Sequence, residues 1–459
     1  MYKINFEHPV HVHFIGIGGI SMSGLAEVLL EEDFTISGSD NKESALTKHL
    51  ENAGATVFYG QKASNIIDGI DVVVYTAAIH EDNEEFQAAV QKGLPMLSRA
   101  ELLGQLMKNY DTPIAVAGTH GKTTTTSMLS QILLAGELDP TISVGGILKA
   151  IGGNIRVGNS EIFVTEACEY TNSFLEFFPK IGVILNIDED HLDFFKDLDD
   201  IRHSFRKFAE LLPEDGTLVI NGEIEHLDEF TKGLACQVVT YGNDSSYDYS
   251  ATNIMHNQKG QASFDYVKNG IFVSHMQLAV NGDHNVSNAL ASLAVADLLG
   301  LPASVAQEGL IDFEGTKRRF EYKGEFQGVN VIDDYAHHPT EIQAALSAAR
   351  HYPHKELWCI FQPHTYTRTK AFLGGFIDAL SGFDHVILAD IYAAREEDPG
   401  DIHSKDIVTG LKEKGCDAYY LSTFAEIEEF VLKNLKKDDL LITMGAGDVV
   451  NIGENLLSR

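Results

Sequence analysis

The most informative stretch of the chain reads Ala117-Gly118-Thr119-His120-Gly121-Lys122-Thr123-Thr124 and follows the apolar run Pro113-Ile114-Ala115-Val116. An apolar run, a glycine turn and a helix-like segment predict a strand, a turn and a helix. Such a turn directs backbone N–H groups and a helix N-terminus to one place, where Lys122 adds a positive charge. The stretch therefore predicts a phosphate-binding loop, with the Thr123 hydroxyl placed to ligate the Mg²⁺ of a nucleoside triphosphate.

This loop departs from the usual P-loop in one respect. The usual motif has a glycine five residues before Gly121, where this chain has Val116. The loop is therefore a shortened variant. Turn and capping roles alone do not account for a lysine placed between Gly121 and four consecutive threonines.

Length and composition restrict the class of protein. At about 150 residues per domain, 459 residues indicate roughly three domains. The formal net charge of -33 argues against nucleic acid or an anionic membrane surface as a partner, since both would be repelled. No apolar stretch has the length of a signal peptide or a membrane span, so we expect a cytoplasmic protein. The four cysteines lie far apart, which predicts reduced thiols and no zinc site.

A second glycine loop lies near the N-terminus. The β-like run 10–15 precedes Gly16-Ile17-Gly18-Gly19-Ile20-Ser21, and a second such run ends in Ser37-Gly38-Ser39-Asp40. This layout is typical of a dinucleotide-binding βαβ unit, although Ser21 stands where a third glycine is usual. NAD and a nucleotide-sugar diphosphate both remain possible ligands. The run 71–79, which contains Thr76, reads as a further parallel strand whose end flanks the ligand crevice.

The central part of the chain contains two acidic clusters that each follow an apolar strand. The first contains Glu166, and the second contains Asp188-Glu189-Asp190-His191 and ends at Asp193. The carboxyl edge of a parallel sheet is where ligands bind, and oxygen ligands suit Mg²⁺. Farther along, His284, Asn285 and Asn288 begin an apolar helix, where imidazole and amide groups are suited to contact adenine.

The pattern of strands and helices restarts after a boundary near 313–320, where Lys317, Arg318 and Arg319 are adjacent. Four apolar strands follow, and each runs into a polar cluster. Examples are Asp334-Tyr335-Ala336-His337-His338 and His364-Thr365-Tyr366-Thr367-Arg368. Polar residues placed repeatedly at strand ends predict a binding face.

These motifs, in this order, resemble the Mur ligase family over the whole chain. The motifs that carry the resemblance are the Gly16–Ser21 loop, the segments 118–125 and 186–191, His284-Asn285 with Asn288, Arg318-Arg319-Phe320, and the segment 334–339. The resemblance implies an α/β protein with a parallel-rich central sheet. It implies three domains: a Rossmann-like UDP-sugar domain (1–108), a P-loop-type ATPase (109–313) and a Rossmann-like domain (314–459) that closes over ATP and brings the amino acid.

The resemblance also implies an activity and a set of site residues. The activity is ATP- and Mg²⁺-dependent joining of the carboxylate of UDP-N-acetylmuramate to L-alanine through an acyl phosphate, for peptidoglycan synthesis, by a monomer or homodimer. The implied ATP site comprises Gly118, Thr119, His120, Gly121, Lys122, Thr123, Thr124, His284, Asn288, Arg319 and Asp334. The implied UDP-sugar site comprises Gly16, Gly18, Gly19, Ile20, Ser21, Ser37, Asp40 and Thr76. Carboxylate and amino-acid contacts fall on Tyr335, His337, His364 and Arg368. The implied metal site comprises Thr123, Glu166 and His191, and the implied catalytic residues are Lys122, Arg319 and His191.

Two departures and three rival functions accompany this resemblance. Thr365 stands where many members have an arginine, and the stretch after Glu166 is less acidic than usual, so we assign no metal role to Glu169.

A recycling ligase that attaches a preformed tripeptide shares most motifs, but the segment 362–368 favours the alanine reaction. In an NAD-dependent dehydrogenase, a second possible function, Lys122 and Arg319 would have no role. A non-catalytic nucleotide switch would need a regulatory partner surface that the sequence does not reveal.

Overall fold

The structure, a computed structural model, describes residues 2–76, 78–257, 259–394 and 396–459. Internal contacts group the chain into two units. The first comprises Met1–Ile187, Arg202–Thr240 and Leu298–Leu301, and the second comprises Asp188–Ile201, Tyr241–Asp297 and Pro302–Arg459. The strands are mostly parallel and alternate with helices, so the predicted α/β class is confirmed.

The N-terminal part of the first unit alternates strands and helices. Its elements are β1 (His11–Ile15), α1 (Ile20–Glu31), β2 (Thr35–Asp40), α2 (Ala45–Asn52), β3 (Thr56–Tyr59), β4 (Val72–Tyr75), α3 (Glu84–Gln91), β5 (Met96–Ser98) and α4 (Arg99–Met107). The five strands form a parallel sheet in the order β3-β2-β1-β4-β5. Helical crossovers between parallel strands make this sheet Rossmann-like, as predicted. The strand predicted over 71–79 is shorter, since β4 ends before Thr76.

The next stretch of the chain contains the lysine loop. The elements of this stretch are β6 (Thr112–Ala117), α5 (Lys122–Ala135), β7 (Thr141–Leu148), β8 (Gly153–Arg156), β9 (Ile162–Ala167), β10 (Ile181–Ile184), α6 (Leu198–Glu210), β11 (Thr217–Asn221), α7 (Asp228–Thr231) and β12 (Gln237–Gly242). β6 pairs in parallel with β9 and β10, so its carboxyl end lies between theirs. The residues of β6 from Pro113 onward are buried, which explains the apolar run before the loop.

In the second unit, an antiparallel meander precedes two helices. Its elements are β13 (Tyr249–His256), β14 (Gln261–Lys268), β15 (Ile271–Asn281), α8 (His284–Leu298) and α9 (Ala303–Asp312). Most residues of α8 are buried, which agrees with its apolar sequence.

The C-terminal sheet has six strands in the second unit. Its elements are β16 (Glu321–Phe326), β17 (Val329–Asp334), α10 (Pro339–His351), β18 (Leu357–Phe361), α11 (Tyr366–Ala371), α12 (Leu373–Leu380), β19 (His385–Leu388), α13 (Ser404–Glu413), β20 (Asp417–Tyr420), α14 (Phe424–Asn434), β21 (Leu440–Met444) and α15 (Val450–Leu457). The order is β16-β17-β21-β18-β19-β20, with only β16 antiparallel. Apolar clusters cover both faces of this Rossmann-like sheet.

Two further observations concern membrane-spanning helices and cysteines. None of the helices in the described ranges has the length and apolar character needed to cross a membrane. The four cysteines, Cys168, Cys236, Cys359 and Cys416, are free thiols.

Candidate functional site

The lysine loop forms a tight turn between β6 and α5. Gly118 has φ 149° and Gly121 has φ 84°, a region of backbone conformation that favours glycine. A Cβ on Gly118 would also lie 2.9 Å from the Cβ of Leu185. The first turn of α5 carries Lys122, Thr123 and Thr124, so the predicted strand–turn–helix is present.

Lys122 is held within its own loop and by one carboxylate. Its Nζ donates to the carbonyl oxygens of Gly118 (2.5 Å) and Thr119 (3.1 Å), and to Oε2 of Glu169 (2.8 Å). Burial disfavours the ammonium charge, but the Glu169 carboxylate outweighs it, so the pKa of Lys122 is raised above its usual range. Lys122 is therefore a fixed positive charge. Its partner Glu169 could not be predicted from the sequence.

Asn186, which lies two residues after β10, also holds the loop. The Asn186 side chain accepts from the backbone N–H of His120 (2.8 Å) and donates to the His120 carbonyl (3.0 Å). The backbone N–H of Thr119 donates to the Asn186 carbonyl at 3.2 Å. Three hydrogen bonds from one residue fix the path of the loop backbone.

Thr123 and Glu166 bring two oxygen groups together beside this loop. The Thr123 hydroxyl donates to Oε2 of Glu166 at 3.1 Å, and the backbone N–H of Gly145 donates to Oε1 at 2.5 Å. A Cβ on Gly145 would lie 2.7 Å from Glu166, so glycine permits this approach. A hydroxyl and a carboxylate at a helix N-terminus match the ligands that Mg²⁺ prefers.

The N-terminal glycine loop is organised by β2. The backbone N–H groups of Gly16 and Ile17 both donate to the Ser39 carbonyl at 2.9 Å, and that of Gly18 donates to the Asp40 carboxylate at 2.9 Å. Gly19 precedes α1, and Ile20 at its start is exposed. The loop therefore presents the start of a helix, as a diphosphate site requires.

Two other predicted UDP-sugar residues belong to the same sheet: Ser37 is buried within β2, and Thr76 follows β4. The Ser37 hydroxyl lies 2.8 Å from His11 Nε2 and 2.9 Å from His13 Nδ1. Thr76 lies directly after β4, and its hydroxyl accepts from the backbone N–H of Ala78 at 3.3 Å. Ser37 is thus engaged internally by two histidines.

Arg99 is a cation of this region that the sequence analysis missed. Its Nη1 donates to the Ser21 hydroxyl at 3.1 Å, at the start of α1. Burial lowers the pKa of Arg99, which remains far above neutrality. The N-terminus of α1 therefore has a fixed positive charge beside it.

In the second unit, the adjacent arginines Arg318 and Arg319 have different surroundings. Arg318 donates to Asp333 (3.0 Å) and to the carbonyl oxygens of Gly447 (3.0 Å) and Gly445 (2.6 Å). The Arg319 guanidinium lies 5.1 Å from the Tyr335 ring centroid and 3.9 Å from a carboxylate oxygen of Glu341. Arg318 is tied into the fold, whereas Arg319 has looser contacts that a ligand can replace.

Asp334, the predicted ribose contact, is buried at the end of β17. Its carboxylate accepts from the backbone N–H groups of Phe320 (2.9 Å) and Ala336 (2.7 Å). Burial raises the pKa of Asp334 to about 7, although Arg319 and the Ala336 N–H favour the ionised form. The carboxylate thereby holds the residues that directly follow Arg319 and Tyr335.

The four residues predicted to bind carboxylate and amino acid lie together in the second unit. The His337 ring lies 5.4 Å from the Tyr335 ring and 5.8 Å from the His364 ring. Arg368 Nη1 lies 3.3 Å from His364 Nδ1. Arg368 is in α11, not at a strand end as predicted, because β18 stops at Phe361 and a short helix follows.

In this structure, the Asp190 carboxylate forms an ion pair with the Arg368 guanidinium. Nε and Nη2 of Arg368 donate to the same Asp190 oxygen at 3.2 and 2.8 Å. Burial opposes the charge, but Arg368 and His191 hold the pKa of Asp190 well below its usual range. His191 has φ 53° and donates its backbone N–H to Asp190 at 2.7 Å. The Arg368 site thus accepts a carboxylate, here that of Asp190.

The predicted adenine contacts begin α8. His284 is the first residue of this helix, and the buried Asn288 donates to Asn285 Oδ1 at 3.0 Å. The His284 side chain is accessible, yet the surrounding protein desolvates it and lowers its pKa to about 4. A neutral imidazole at neutral pH both donates and accepts hydrogen bonds, which suits a nucleobase.

The chain matches known proteins over its full length. Three family models match it: "Mur ligase family, catalytic domain" over 11–111, "Mur ligase middle domain" over 116–296 and "Mur ligase, glutamate ligase domain" over 318–447. A UDP-N-acetylmuramate–L-alanine ligase of Agathobacter rectalis is 61% identical over 459 residues, which cover 100% of both chains.

Solved structures give the same result. The crystal structure of a UDP-N-acetylmuramate-alanine ligase from Thermotoga maritima superposes with a TM-score of 0.80 at 31% identity, covering 98% of this chain and 99% of that one. A murein peptide ligase from Psychrobacter arcticus gives a TM-score of 0.69 at 25% identity, covering 98% of each chain. These matches confirm the resemblance found in the sequence motifs, and the chain belongs to the Mur ligase family.

Proposed function

We propose that the chain is an ATP-dependent, ADP-forming ligase that joins the carboxylate of UDP-N-acetylmuramate to L-alanine in peptidoglycan precursor synthesis. The loop of Lys122 is the main structural support for an ATP-dependent reaction. It holds a permanent positive charge beside the oxygens of Thr123 and Glu166. The full-length relative from Agathobacter rectalis supports the choice of substrates.

The domain division forms part of this proposal. We assign 1–108 to the UDP-sugar domain, 109–313 to the ATPase domain and 314–459 to the domain that brings the amino acid. The family-model matches over 11–111, 116–296 and 318–447 support these limits, since no match crosses a proposed boundary by more than a few residues. We propose a cytoplasmic location, where ATP and UDP-sugars are available, and a monomer or homodimer.

In the first step, a carboxylate oxygen of the sugar attacks the γ-phosphorus of ATP, and the bond to ADP breaks. The charge on the transferring phosphoryl group has to be neutralised by fixed groups of the protein. We assign this role to Lys122 and Arg319, with the backbone N–H groups of 118–124 around the phosphates. His284 and Asn288 are the proposed adenine contacts, and Asp334 is the proposed ribose contact.

In the second step, the amine of alanine attacks the acyl phosphate, and inorganic phosphate leaves after the tetrahedral intermediate collapses. Positioning of the two reactants contributes most of the catalysis in such a step. The cluster Tyr335, His337, His364 and Arg368 is the proposed binding place for the carboxylate and amino-acid groups. The Arg368–Asp190 pair supports this assignment, because the guanidinium already donates hydrogen bonds to a carboxylate there.

We propose that Mg²⁺ binds beside the lysine loop. Thr123 and Glu166 fit it, since they offer hydroxyl and carboxylate oxygens 3.1 Å apart at a helix N-terminus. When bound, the ion neutralises phosphate charge. The Gly145 N–H holds one Glu166 oxygen, which orients the carboxylate toward Thr123. His191, held by Asp190, is the proposed residue at a second metal position.

The experiment that tests the function is phosphate release by the full chain. We expect release with ATP, Mg²⁺ and UDP-N-acetylmuramate to require an amino acid and to be fastest with L-alanine. Mass spectrometry should show the alanyl amide. Release that requires a preformed tripeptide, with no product from L-alanine, would instead identify the recycling ligase.

We predict that Glu166→Gln raises the Mg²⁺ concentration needed for half-maximal activity by about tenfold or more. The amide keeps the shape of the side chain but removes the charge that a hard divalent cation prefers. The measurement is a Mg²⁺ titration of turnover beside a melting curve. Glu161→Gln, an exposed acid before β9, is the matched control. An unaltered Mg²⁺ midpoint in folded, active Glu166→Gln protein would exclude this metal role.

We predict that Arg368→Lys lowers kcat/KM by about tenfold or more. Lysine keeps the charge but loses the planar pair of donors that grips one carboxylate. Michaelis constants for alanine and UDP-N-acetylmuramate are to be measured separately. Lys370→Arg, at an exposed position of the same helix, is the control. Unchanged constants and turnover in Arg368→Lys would show that Arg368 does not bind substrate.

A further inference from the structure

Three side chains far apart in the sequence meet on the surface of the second unit. They are His256 at the end of β13, Asp283 in the turn before α8, and His351 at the end of α10. Each offers one ligand atom, and the three atoms lie within 4.8 Å of one another. None of these residues belongs to the sites described above.

The contacts within this cluster are direct. His256 Nε2 lies 2.7 Å from Asp283 Oδ1, and the His256 and His351 rings are stacked with centroids 4.5 Å apart and planes 8° apart. Two imidazoles and a carboxylate therefore share a small volume. Two imidazole nitrogens therefore lie side by side, next to the Asp283 carboxylate, whose negative charge attracts a cation.

The backbone around the cluster is fitted to His351. Gly260 has φ +75°, and a Cβ built on it would lie 2.8 Å from the Cβ of His351. The turn is closed by a hydrogen bond from the Gly260 N–H to the Asn257 carbonyl (2.9 Å). Glycine at this position lets the turn after β13 approach the end of α10, which keeps His256 and His351 together.

We propose that His256, Asp283 and His351 form a binding site for a divalent transition-metal ion of the Zn²⁺ class. Imidazole nitrogens select Zn²⁺, Co²⁺ or Ni²⁺ over Mg²⁺, and three protein ligands leave a fourth position for water. Ligand atoms around a tetrahedral ion lie roughly 3.3 Å apart, given metal–ligand distances of about 2 Å. Asp283 and His351 are exposed, so their side chains can rotate to that spacing without disturbing the core.

A bound ion would connect three segments of the second unit. The helix α10 follows directly after Tyr335 and His337, and Asp283 directly precedes His284. An ion held by Asp283 and His351 would therefore restrain the start of α8 relative to the end of α10. The site is separate from the proposed oxygen site of Thr123 and Glu166, which belongs to the first unit.

The test is metal binding by the full chain without an affinity tag, in excess Mg²⁺ so that oxygen sites are filled. Co²⁺ is the probe, because its visible absorption reports coordination by nitrogen. We expect saturable Co²⁺ binding that Zn²⁺ displaces, and a Zn²⁺-dependent rise of the melting temperature. His256→Ala and His351→Ala should each weaken Co²⁺ binding by at least tenfold.

His275→Ala is the matched control. His275 Nδ1 also lies close to a carboxylate, 2.9 Å from Asp265, but it belongs to no described group of three metal-ligating side chains. It should leave Co²⁺ binding unchanged. Melting curves without metal establish that each variant is folded. Absence of saturable binding, or equal affinity in wild type, His256→Ala and His351→Ala, would overturn the proposal. The readouts need no catalysis, so the result is independent of the proposed function.

Discussion

Lys122→Ala is expected to abolish ligation while leaving the binding of UDP-N-acetylmuramate nearly intact. Loss of one fixed cation that neutralises the transferring phosphoryl group costs about 3 kcal/mol or more, which is two orders of magnitude in rate. The proposed UDP-sugar residues lie on a different sheet from the Lys122 loop, so their contacts should persist. Turnover and UDP-sugar affinity are to be measured on the same preparation.

The structure adds a second expectation for this variant. Removing Lys122 leaves Glu169, which is buried to 2% side-chain exposure, without its cation. The double variant Lys122→Ala/Glu169→Gln should recover stability but not activity, because only the buried charge is relieved. Lys180→Ala is the control, since it removes a surface ion pair with Asp215 in the same unit. Near-normal turnover in Lys122→Ala would remove Lys122 from the mechanism.

Arg319→Ala is expected to lower turnover by about a hundredfold or more with little change in the melting temperature. The contacts of Arg319 are a ring face and a carboxylate at 3.9 Å, so few interactions of the fold depend on it. An arginine that stabilises the charge of the phosphoryl group in the transition state accelerates the reaction by at least this factor.

Arg318→Ala should behave in the opposite way. It removes three hydrogen bonds and leaves the fully buried Asp333 without its guanidinium, a loss of about 3 kcal/mol of stability or more. Its main effect should therefore appear in the melting curve. If Arg319→Ala lost stability and kept its turnover, the assignment of the γ-phosphate contact would be wrong.

Much of the fold could be predicted from the sequence because its signals are local. The apolar run before Gly118, the two glycines with positive φ and the following threonines specify a strand, a turn and a helix within a few residues. The position of Arg368 was predicted less well. The sequence shows an apolar run followed by polar residues, and it does not show that the chain turns into a short helix at Tyr366.

The ion-pair and hydrogen-bond partners of individual side chains could not be predicted, because they depend on contacts between distant segments. Lys122 and Glu169 are 47 residues apart, and Asp190 and Arg368 are 178 residues apart. The family resemblance implies the phosphate role for Arg319 and not for Arg318, but the physical difference between the two arginines appears only in their contacts in the structure. Arg99 was missed for the same reason, since its contact with Ser21 joins two different helices.

The ion pair between Lys122 and Glu169 has a consequence for selectivity among anions. Because the ammonium already has a carboxylate at 2.8 Å, any incoming anion has to compete with an internal one. A single inorganic phosphate or sulfate offers little beyond that carboxylate. A triphosphate that also contacts the successive N–H groups of the loop offers much more. We therefore expect Glu169 to compete with anions for Lys122, which would favour the polyphosphate chain of a nucleotide over small inorganic anions.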